Sequence, residues 1–266
     1  MKRPFVEANF AMTVDGKIST RDYAPTGFTS ARDKRRLLEI RARGDALLVG
    51  RGTLETDDMA MALPARDLRE ARMREGRTAE PLRVIFSNGG KLRSDLKVFR
   101  TPGAPIVIFT TSAMPVARRR NLERLADVRV ETRKRSVDLA EALSVLADEY
   151  GVRDAVCEGG PTLVRAMLEK RLIDRLYVTF APMIFGGRQA PTLLGPADCA
   201  GLPRSIPLEL DALELVGSEA FASYRVGRAG RKSGGCQETR RFPSGQPRSF
   251  DFSADDGVSE ELHFEI

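Results

Sequence analysis

Two segments of the chain carry the residue types that bind phosphate. In Ala155-Val156-Cys157-Glu158-Gly159-Gly160-Pro161-Thr162-Leu163-Val164 a short strand runs into two glycines and then into a helix. Glycine lacks Cβ, so a ligand can approach the backbone, and the free N–H groups and positive dipole end of the following helix favour a pyrophosphate. The same glycines also suit a simple tight turn. The segment Leu47-Leu48-Val49-Gly50-Arg51-Gly52-Thr53 repeats the junction and adds a guanidinium and a hydroxyl. Arg51 has the planar fork that grips a phosphate through two parallel hydrogen bonds. Two anion-ready helix starts on one sheet suit a dinucleotide, whose phosphates lie at separated points. The G-x-G-x-x-G fingerprint is absent after the first strand, which disfavours the common dinucleotide-binding fold.

The elements that must hold these junctions are legible as alternating runs. Strand-like segments occur at Phe5 to Met12, Ala46 to Val49, Leu82 to Phe86, Ile106 to Phe109, Ala155 to Cys157 and Leu176 to Phe180, with helical stretches between them. Ser30 followed by Asp33 resembles a capping box opening a helix over Ala31 to Arg43, and Val137 to Tyr150 carries apolar residues at helical spacing. Pro207 to Val216 and Glu219 to Val226, separated by Gly217-Ser218, read as an antiparallel hairpin. The expected architecture is an α/β mixed sheet, mostly parallel, with helices packed on it. Residues 1 to 228 form one domain, and 229 to 266 form a polar extension that is either disordered or pairs its last alternating residues, Leu262 to Ile266, with an edge strand.

Composition removes several reaction classes. The one histidine, His263, lies at the C-terminus, which argues against a Ser-His-Asp triad, a Cys-His pair and a multi-histidine zinc site. The three cysteines, Cys157, Cys199 and Cys236, are widely spaced without a C-x-x-C pair, so neither a metal site nor a disulfide framework is expected, and a reducing cytoplasm is. Hydrophobic residues make up 42% and charged residues 30%, with no apolar run near the ~20 residues of a membrane span and no secretory pattern at Met1 to Ala8. The net charge of +6 is spread along a chain with no Trp and four Tyr, which fits small anionic ligands better than nucleic acid.

Beyond these physical signals, Asn9-Phe10-Ala11-Met12-Thr13-Val14-Asp15-Gly16-Lys17-Ile18 resembles the opening strand of the reductase domain of the riboflavin-biosynthesis deaminase/reductase family. Phe28-Thr29-Ser30, Ala46 to Thr53 with Asp57-Asp58, Pro81 to Phe86, Glu158 to Pro161, and Ala181-Pro182-Met183-Ile184-Phe185-Gly186-Gly187 follow in that family's order, over about residues 5 to 227. The resemblance implies a dihydrofolate reductase-like fold, NADPH as hydride donor, and usually a homodimer. It also implies reduction of the ribosylamino group of a phosphorylated aminopyrimidine to ribitylamino. The zinc-deaminase signature is missing, so the expectation is a reductase alone, closer to the archaeal single-domain enzymes because Asn9 stands where many bacterial members carry lysine.

Carried over by position, Gly50, Arg51, Thr53, Asp57, Ser87, Asn88, Gly89, Gly90 and Glu158 to Leu163 (Gly159, Gly160, Pro161 and Thr162 between them) resemble cofactor contacts. Asp58 matches the carboxylate that assists proton transfer at the ribose, with a turn carboxylate as the other reading and Lys17 or water as the next proton sources. Asn9 matches the substrate side, and Thr29, Ser30, Lys34 and Arg35 match the helix start that holds the substrate phosphate, unless Lys34, Arg35 and Arg36 only solvate a helix face. Gly27 and Met59 to Leu63 depart from the family pattern. The alternatives are a dihydropterin reductase on the same scaffold and a non-catalytic nucleotide-binding protein.

Overall fold

The alternating runs assemble into one nine-stranded sheet in the computed structural model, which describes residues 2–20, 27–132, 135–195, 202 and 205–227. The elements in chain order are β1 (Phe5–Thr13), α1 (Ala31–Arg43), β2 (Ala46–Gly50), α2 (Arg51–Asp57), α3 (Arg66–Arg74), β3 (Leu82–Phe86), α4 (Lys97–Arg100), β4 (Ile106–Thr111), α5 (Val116–Leu122) and β5 (Asp127–Glu131). They continue with α6 (Leu139–Glu149), β6 (Asp154–Cys157), α7 (Pro161–Glu169), β7 (Arg175–Ala181), β8 (Leu208–Val216) and β9 (Glu219–Val226). Residues Met1–Ala229 group as one compact unit, whereas the expected extension over 229 to 266 lies outside the described residues.

The strand order is β5-β4-β3-β2-β6-β1-β7-β9-β8. Every pairing from β5 to β7 is parallel, and only β7–β9 and β8–β9 are antiparallel, so the expected hairpin closes one edge of the sheet. The near-continuous apolar runs follow from burial on both faces. Ala46, Leu48, Ala155 and Cys157 point to the side covered by α6 and α7, while Leu47, Val49, Ile85 and Val156 point to the side carrying Ile40 of α1 and Leu54 of α2. Truncating a core side chain such as Leu48 to alanine costs roughly 2–5 kcal/mol in such a setting.

Three local differences from the sequence expectation have physical causes. The helix expected from Val137 begins at Leu139, because Asp138 caps it by accepting from Ala140 N and Glu141 N. Strand β5 was not anticipated, since its alternating Asp127, Val128, Arg129, Val130 and Glu131 belong to a half-exposed edge rather than an apolar run. Arg72, 2% exposed, donates to Ala42 O at 2.8 Å, Gly44 O at 2.5 Å and Thr78 O at 2.9 Å. It thereby satisfies carbonyls at the C-terminal end of α1 and fixes the turn into β2.

Candidate active site

A cleft opens because β6 is short. It pairs with β1 only as far as Ala8 opposite Cys157, and with β2 only as far as Leu48 opposite Cys157. Beyond that point β1 and β2 continue on β7 and β3 with no strand between them, and the Glu158–Pro161 loop falls into the gap. The connection from β1 leads to β2 on one side and the connection from β6 leads to β7 on the other, which makes this a switch point, the place where parallel sheets accept ligands. The resulting cleft has a volume of about 530 Å³ and is walled by Asn9, Phe10 and Ala11 of β1, Ile18 and Ser19, Phe28 and Thr29, residues of α1 and α2, Met59, the α7 junction and Gly195. A larger hollow of about 940 Å³ lies at the amino edge of the sheet, around Asp45, Arg77 and Arg153. No helix N-terminus follows a strand there, and Arg77 already faces Asp45 at 3.7 Å and Asp154 at 3.9 Å, so the carboxyl-edge cleft is the better candidate.

The two glycine junctions meet on its floor. Gly50 N donates to Gly159 O at 2.8 Å, and Glu158 N donates to Leu48 O at 3.0 Å. A Cβ on Gly160 would overlap Thr53 Oγ1, so glycine lets the second loop rest on the first helix without moving that hydroxyl. Gly159 has φ +98, and a Cβ there would meet the Phe10 ring at 3.3 Å. Gly52 is different: a Cβ there meets nothing within 4 Å, and the residue lines the cleft. Helix α7 starts from Gly160 without a side-chain cap and with Pro161 in its first turn, leaving its amides for something else to satisfy. Of the residues expected at the cofactor, Gly50, Thr53, Asp57, Glu158, Gly160, Pro161, Thr162 and Leu163 line the cleft.

Other expected residues stand elsewhere. Arg51 lies on the outer side of α2, 44% exposed, with its guanidinium on Glu55 Oε2 at 2.5 Å. Asp58, left-handed at φ 42 at the end of α2, accepts from Lys97 N at 2.9 Å and faces Lys97 Nζ at 3.6 Å. The bond from Lys97 N and the charges of Lys97 and Arg100 hold its pKa below the usual carboxylate range. It is not among the cleft walls, whereas Asp57 is. Partial burial raises the Asp57 pKa, with no charged neighbour contributing. Ser87, Asn88, Gly89 and Gly90 follow β3, one strand beyond β2, outside the cleft itself. Ser87 is 3% exposed with no partner for its hydroxyl among the described residues, while Asn88 Oδ1 accepts from Val137 N at 3.0 Å and Asn88 O from Thr111 Oγ1 at 2.6 Å.

On the substrate side, Asn9 and Thr29 face the cleft. Ser30 instead caps α1, accepting from Asp33 N at 3.2 Å, and its N–H donates to Glu219 Oε1 at 3.0 Å while its hydroxyl donates to the other oxygen of that carboxylate. Glu219, 7% exposed, therefore already supplies an anion at this helix end. Lys34 is exposed, and Arg35 is engaged by Glu39 at 3.0 Å and Asp67 at 2.6 Å. The solvated-face reading describes this pair, because the row of α1 that turns to the cleft is Asp33, Leu37 and Arg41.

That row supplies residues the sequence reading missed. Arg41 donates from Nε to Glu158 Oε1 at 2.5 Å, from Nη2 to Glu158 Oε2 at 2.7 Å and from Nη1 to Ala62 O at 2.7 Å. Burial works to lower the Arg41 pKa, and the charge and hydrogen bonds of Glu158 outweigh it, so the net shift is upward. The pair fixes the start of the glycine loop against α1, and removing one partner would leave a charge stranded at a cost of roughly 3–5 kcal/mol. The four-residue spacing on α1 was visible in the sequence, but the pairing across 117 positions was not.

A second, smaller brace holds the outer wall. Asp15 accepts from Thr13 Oγ1 at 2.5 Å, Phe185 N at 3.2 Å and Gly186 N at 2.8 Å, tying the turn after β1 to the loop after β7. The Phe185 ring meets Phe28 edge-on with centroids 5.2 Å apart. Lys17 Nζ reaches Ala190 O at 3.5 Å and does not line the cleft. Cys157, beneath the loop, is buried, which pushes its thiol up to about 12 and makes it a poor nucleophile. Among the described residues no group of three or more acidic, Cys or His side chains gathers to hold a metal, and no helix is long and apolar enough to cross a membrane.

The chain is 30% identical over 220 residues to the 2,5-diamino-6-ribosylamino-4(3H)-pyrimidinone 5′-phosphate reductase of Archaeoglobus fulgidus, covering 83% of this chain and 96% of that protein. It is 33% identical over 224 residues to the protein of the same name from Methanothermobacter thermautotrophicus, covering 84% and 99%. A solved pyrimidine reductase-like protein from Corynebacterium diphtheriae superposes with a TM-score of 0.72 at 20% identity, covering 85% and 92% of the two chains, and so shares the fold. The profile of the RibD C-terminal domain matches residues 4–223, and this chain belongs to that family.

Proposed function

We propose that the protein is an NADPH-dependent reductase that converts the ribosylamino group of a phosphorylated aminopyrimidine into a ribitylamino group. The observation that carries this reading is the cleft itself: two glycine-rich helix starts meet on its floor, in a chain belonging to a family whose relatives are named as reductases of this substrate class. The residues fit a dinucleotide. The amides at the start of α7 suit the pyrophosphate, Gly52 leaves open space where a phosphate approaches α2, and Ser87–Gly90 lies about 5 Å further along the sheet edge, where an extended cofactor would pass. Arg51 is proposed to meet the 2′-phosphate, since its exposed i,i+4 pair with Glu55 contributes only about 0.5 kcal/mol and exchanges readily.

The cofactor supplies hydride to C1′ of the opened sugar, which is at the imine level. The chain supplies position and protons. Asn9 and Thr29 hold the substrate at the β1 wall, Phe10 and Phe28 exclude water from the ring, and the attached nitrogen takes one proton as the C–H bond forms. We assign that proton to Asp57 rather than to Asp58, because Asp57 faces the cleft with a raised pKa and Asp58 is engaged by Lys97. Incubation of protein, NADPH and the ribosylaminopyrimidine phosphates, followed by mass spectrometry, tests the reading. A product heavier by two hydrogens, formed faster with NADPH than with NADH, is expected; unchanged substrate would refute it.

The protein is also proposed to work as a homodimer through β8. Leu208, Leu210, Leu213 and Leu215 pair with Val226, Tyr224, Ala222 and Ala220, so they share one face of this edge strand, and they are 44–72% exposed. Four leucines on one open strand face are an unusual surface for a monomer, and a second copy of the same strand is a self-complementary cover.

A further inference from the structure

Basic residues occur throughout this chain, but their excess over acids does not. Positions 91–135 carry twelve Lys and Arg against four Asp and Glu, whereas the other positions carry 31 against 33, so this segment more than accounts for the net charge of +6. The fold gathers that excess on one edge. Lys91 follows β3, Arg118 and Arg120 lie on α5 after β4, and Arg135 follows β5, all on connections at the carboxyl edge of the sheet, where the cleft opens. At the amino edge the balance is reversed, with Asp45, Glu75 and Glu80 around the larger hollow beside Arg77 and Arg153. The four acids of the segment are already engaged. Asp95 faces Arg93 at 3.2 Å, Glu123 faces Arg119 at 2.6 Å, Asp127 faces Arg129 at 3.1 Å, and Glu131 accepts from Asp138 N at 2.7 Å. Lys91, Arg118, Arg120 and Arg135 are exposed, and none has an acidic partner among the described residues. Lys91 and Arg118 both line a recess of about 590 Å³ between the exit of β3 and α5. This recess adjoins the Ser87–Gly90 loop, since Gly90 lies against the Met114 side chain just before α5.

We propose that Lys91, Arg118, Arg120 and Arg135 form an electrostatic approach path that draws the polyanionic cofactor to the β3–β4 side of the cleft without holding it once it is bound. This role rests on the reductase reading above. A recess of one sign focuses field lines and raises the local concentration of an oppositely charged ligand, which speeds its arrival by roughly 10- to 10³-fold. Distance separates arrival from holding. Neighbouring strands lie about 4.8 Å apart, so the exit of β4 stands about 10 Å from that of β2 and its glycine junction. That is too far for a hydrogen bond to a group seated at the junction, but it matches the reach of a charge at an ionic strength of about 0.1 M. Charges on the rim of a site act on the association rate and its salt dependence, whereas contacts with the bound ligand act on dissociation.

Stopped-flow fluorescence of the nicotinamide, with the full chain and NADPH, measures association and dissociation at ionic strengths of about 0.1 and 1 M, where charges reach about 10 and 3 Å. The triple variant Lys91→Glu, Arg118→Glu, Arg120→Glu is expected to associate about tenfold more slowly at the lower salt and to dissociate within about twofold of wild type. At the higher salt the difference should vanish. A second triple variant, Lys2→Glu, Arg74→Glu, Arg153→Glu, makes the same change in net charge with exposed residues near the amino edge, and its association rate should stay within about threefold of wild type. Equal losses in the two triple variants would overturn the approach path, because net charge alone would then be responsible. So would faster dissociation with unchanged association, which would make these cations contacts of the bound cofactor, or a loss that persists at the higher salt. If the wild type binds no NADPH at either salt, the reductase reading itself is wrong.

Discussion

Asp57 and Asp58 are adjacent, chemically identical and placed in different worlds by the end of one helix. The chain leaves α2 in a left-handed turn at Asp58, which sends that carboxylate to the start of α4 while Asp57 stays on the cleft side. Asp57→Asn is expected to lower kcat by roughly 10²-fold, the scale of losing one general acid, with NADPH affinity little changed. Because the acid form is the active one, kcat in the wild type should fall as pH rises through the raised Asp57 pKa, and the variant should lose that limb. Asp58→Asn keeps an acceptor for Lys97 N, so it should cost little in turnover. Single-turnover oxidation of NADPH at several pH values measures both; a large loss confined to Asp58→Asn would return the proton to Asp58. The sequence marked both acids through their place after Thr53, but which one turns inward depends on backbone handedness that the residue letters do not carry. The expected cation pair, Lys34 and Arg35, failed for a similar reason: three adjacent basic residues with Arg36 cannot all face one side of a helix, and the row that wins is set by Leu37 and Arg41.

At the scale of elements, the strand-to-helix junctions were the most legible part, because glycines between an apolar run and a helix leave little freedom for another arrangement. The sheet followed from the buried runs and the terminal hairpin from Gly217, which turns at φ +59. The edge strand β5 did not, because its alternating charged and apolar residues belong to a half-exposed edge, and neither did the Arg41–Glu158 brace, whose partners lie far apart in the chain. The junctions also separate cofactor binding from folding. Gly52→Val adds a side chain pointing into open cleft, so NADPH affinity should fall by about tenfold or more while the melting temperature stays close to wild type. Gly159→Val should lower both, since φ +98 strains any L side chain and Phe10 stands 3.3 Å away. Calorimetric titration beside thermal melting distinguishes these outcomes. Normal NADPH binding by Gly52→Val would mean that nothing anionic approaches α2.

For the whole molecule, one sheet carries the candidate site at its carboxyl edge and an apolar strand at its lateral edge. Introducing charge with Leu213→Lys and Leu215→Glu should convert a dimer into a monomer in sedimentation velocity, whereas a monomeric wild type would contradict the β8 interface. With Lys34 and Arg35 turned to solvent, the choice of a ribosylaminopyrimidine over a pterin rests on the family and not on a cation pair. The central claim is that the cleft brings the nicotinamide to C1′ of the opened sugar. Reduction in the presence of NADPH carrying deuterium at C4, followed by magnetic resonance of the product, tests it most directly. One deuterium at C1′ of a ribitylamino chain is the predicted result; a product without label there, or with label on the pyrimidine ring, would contradict it.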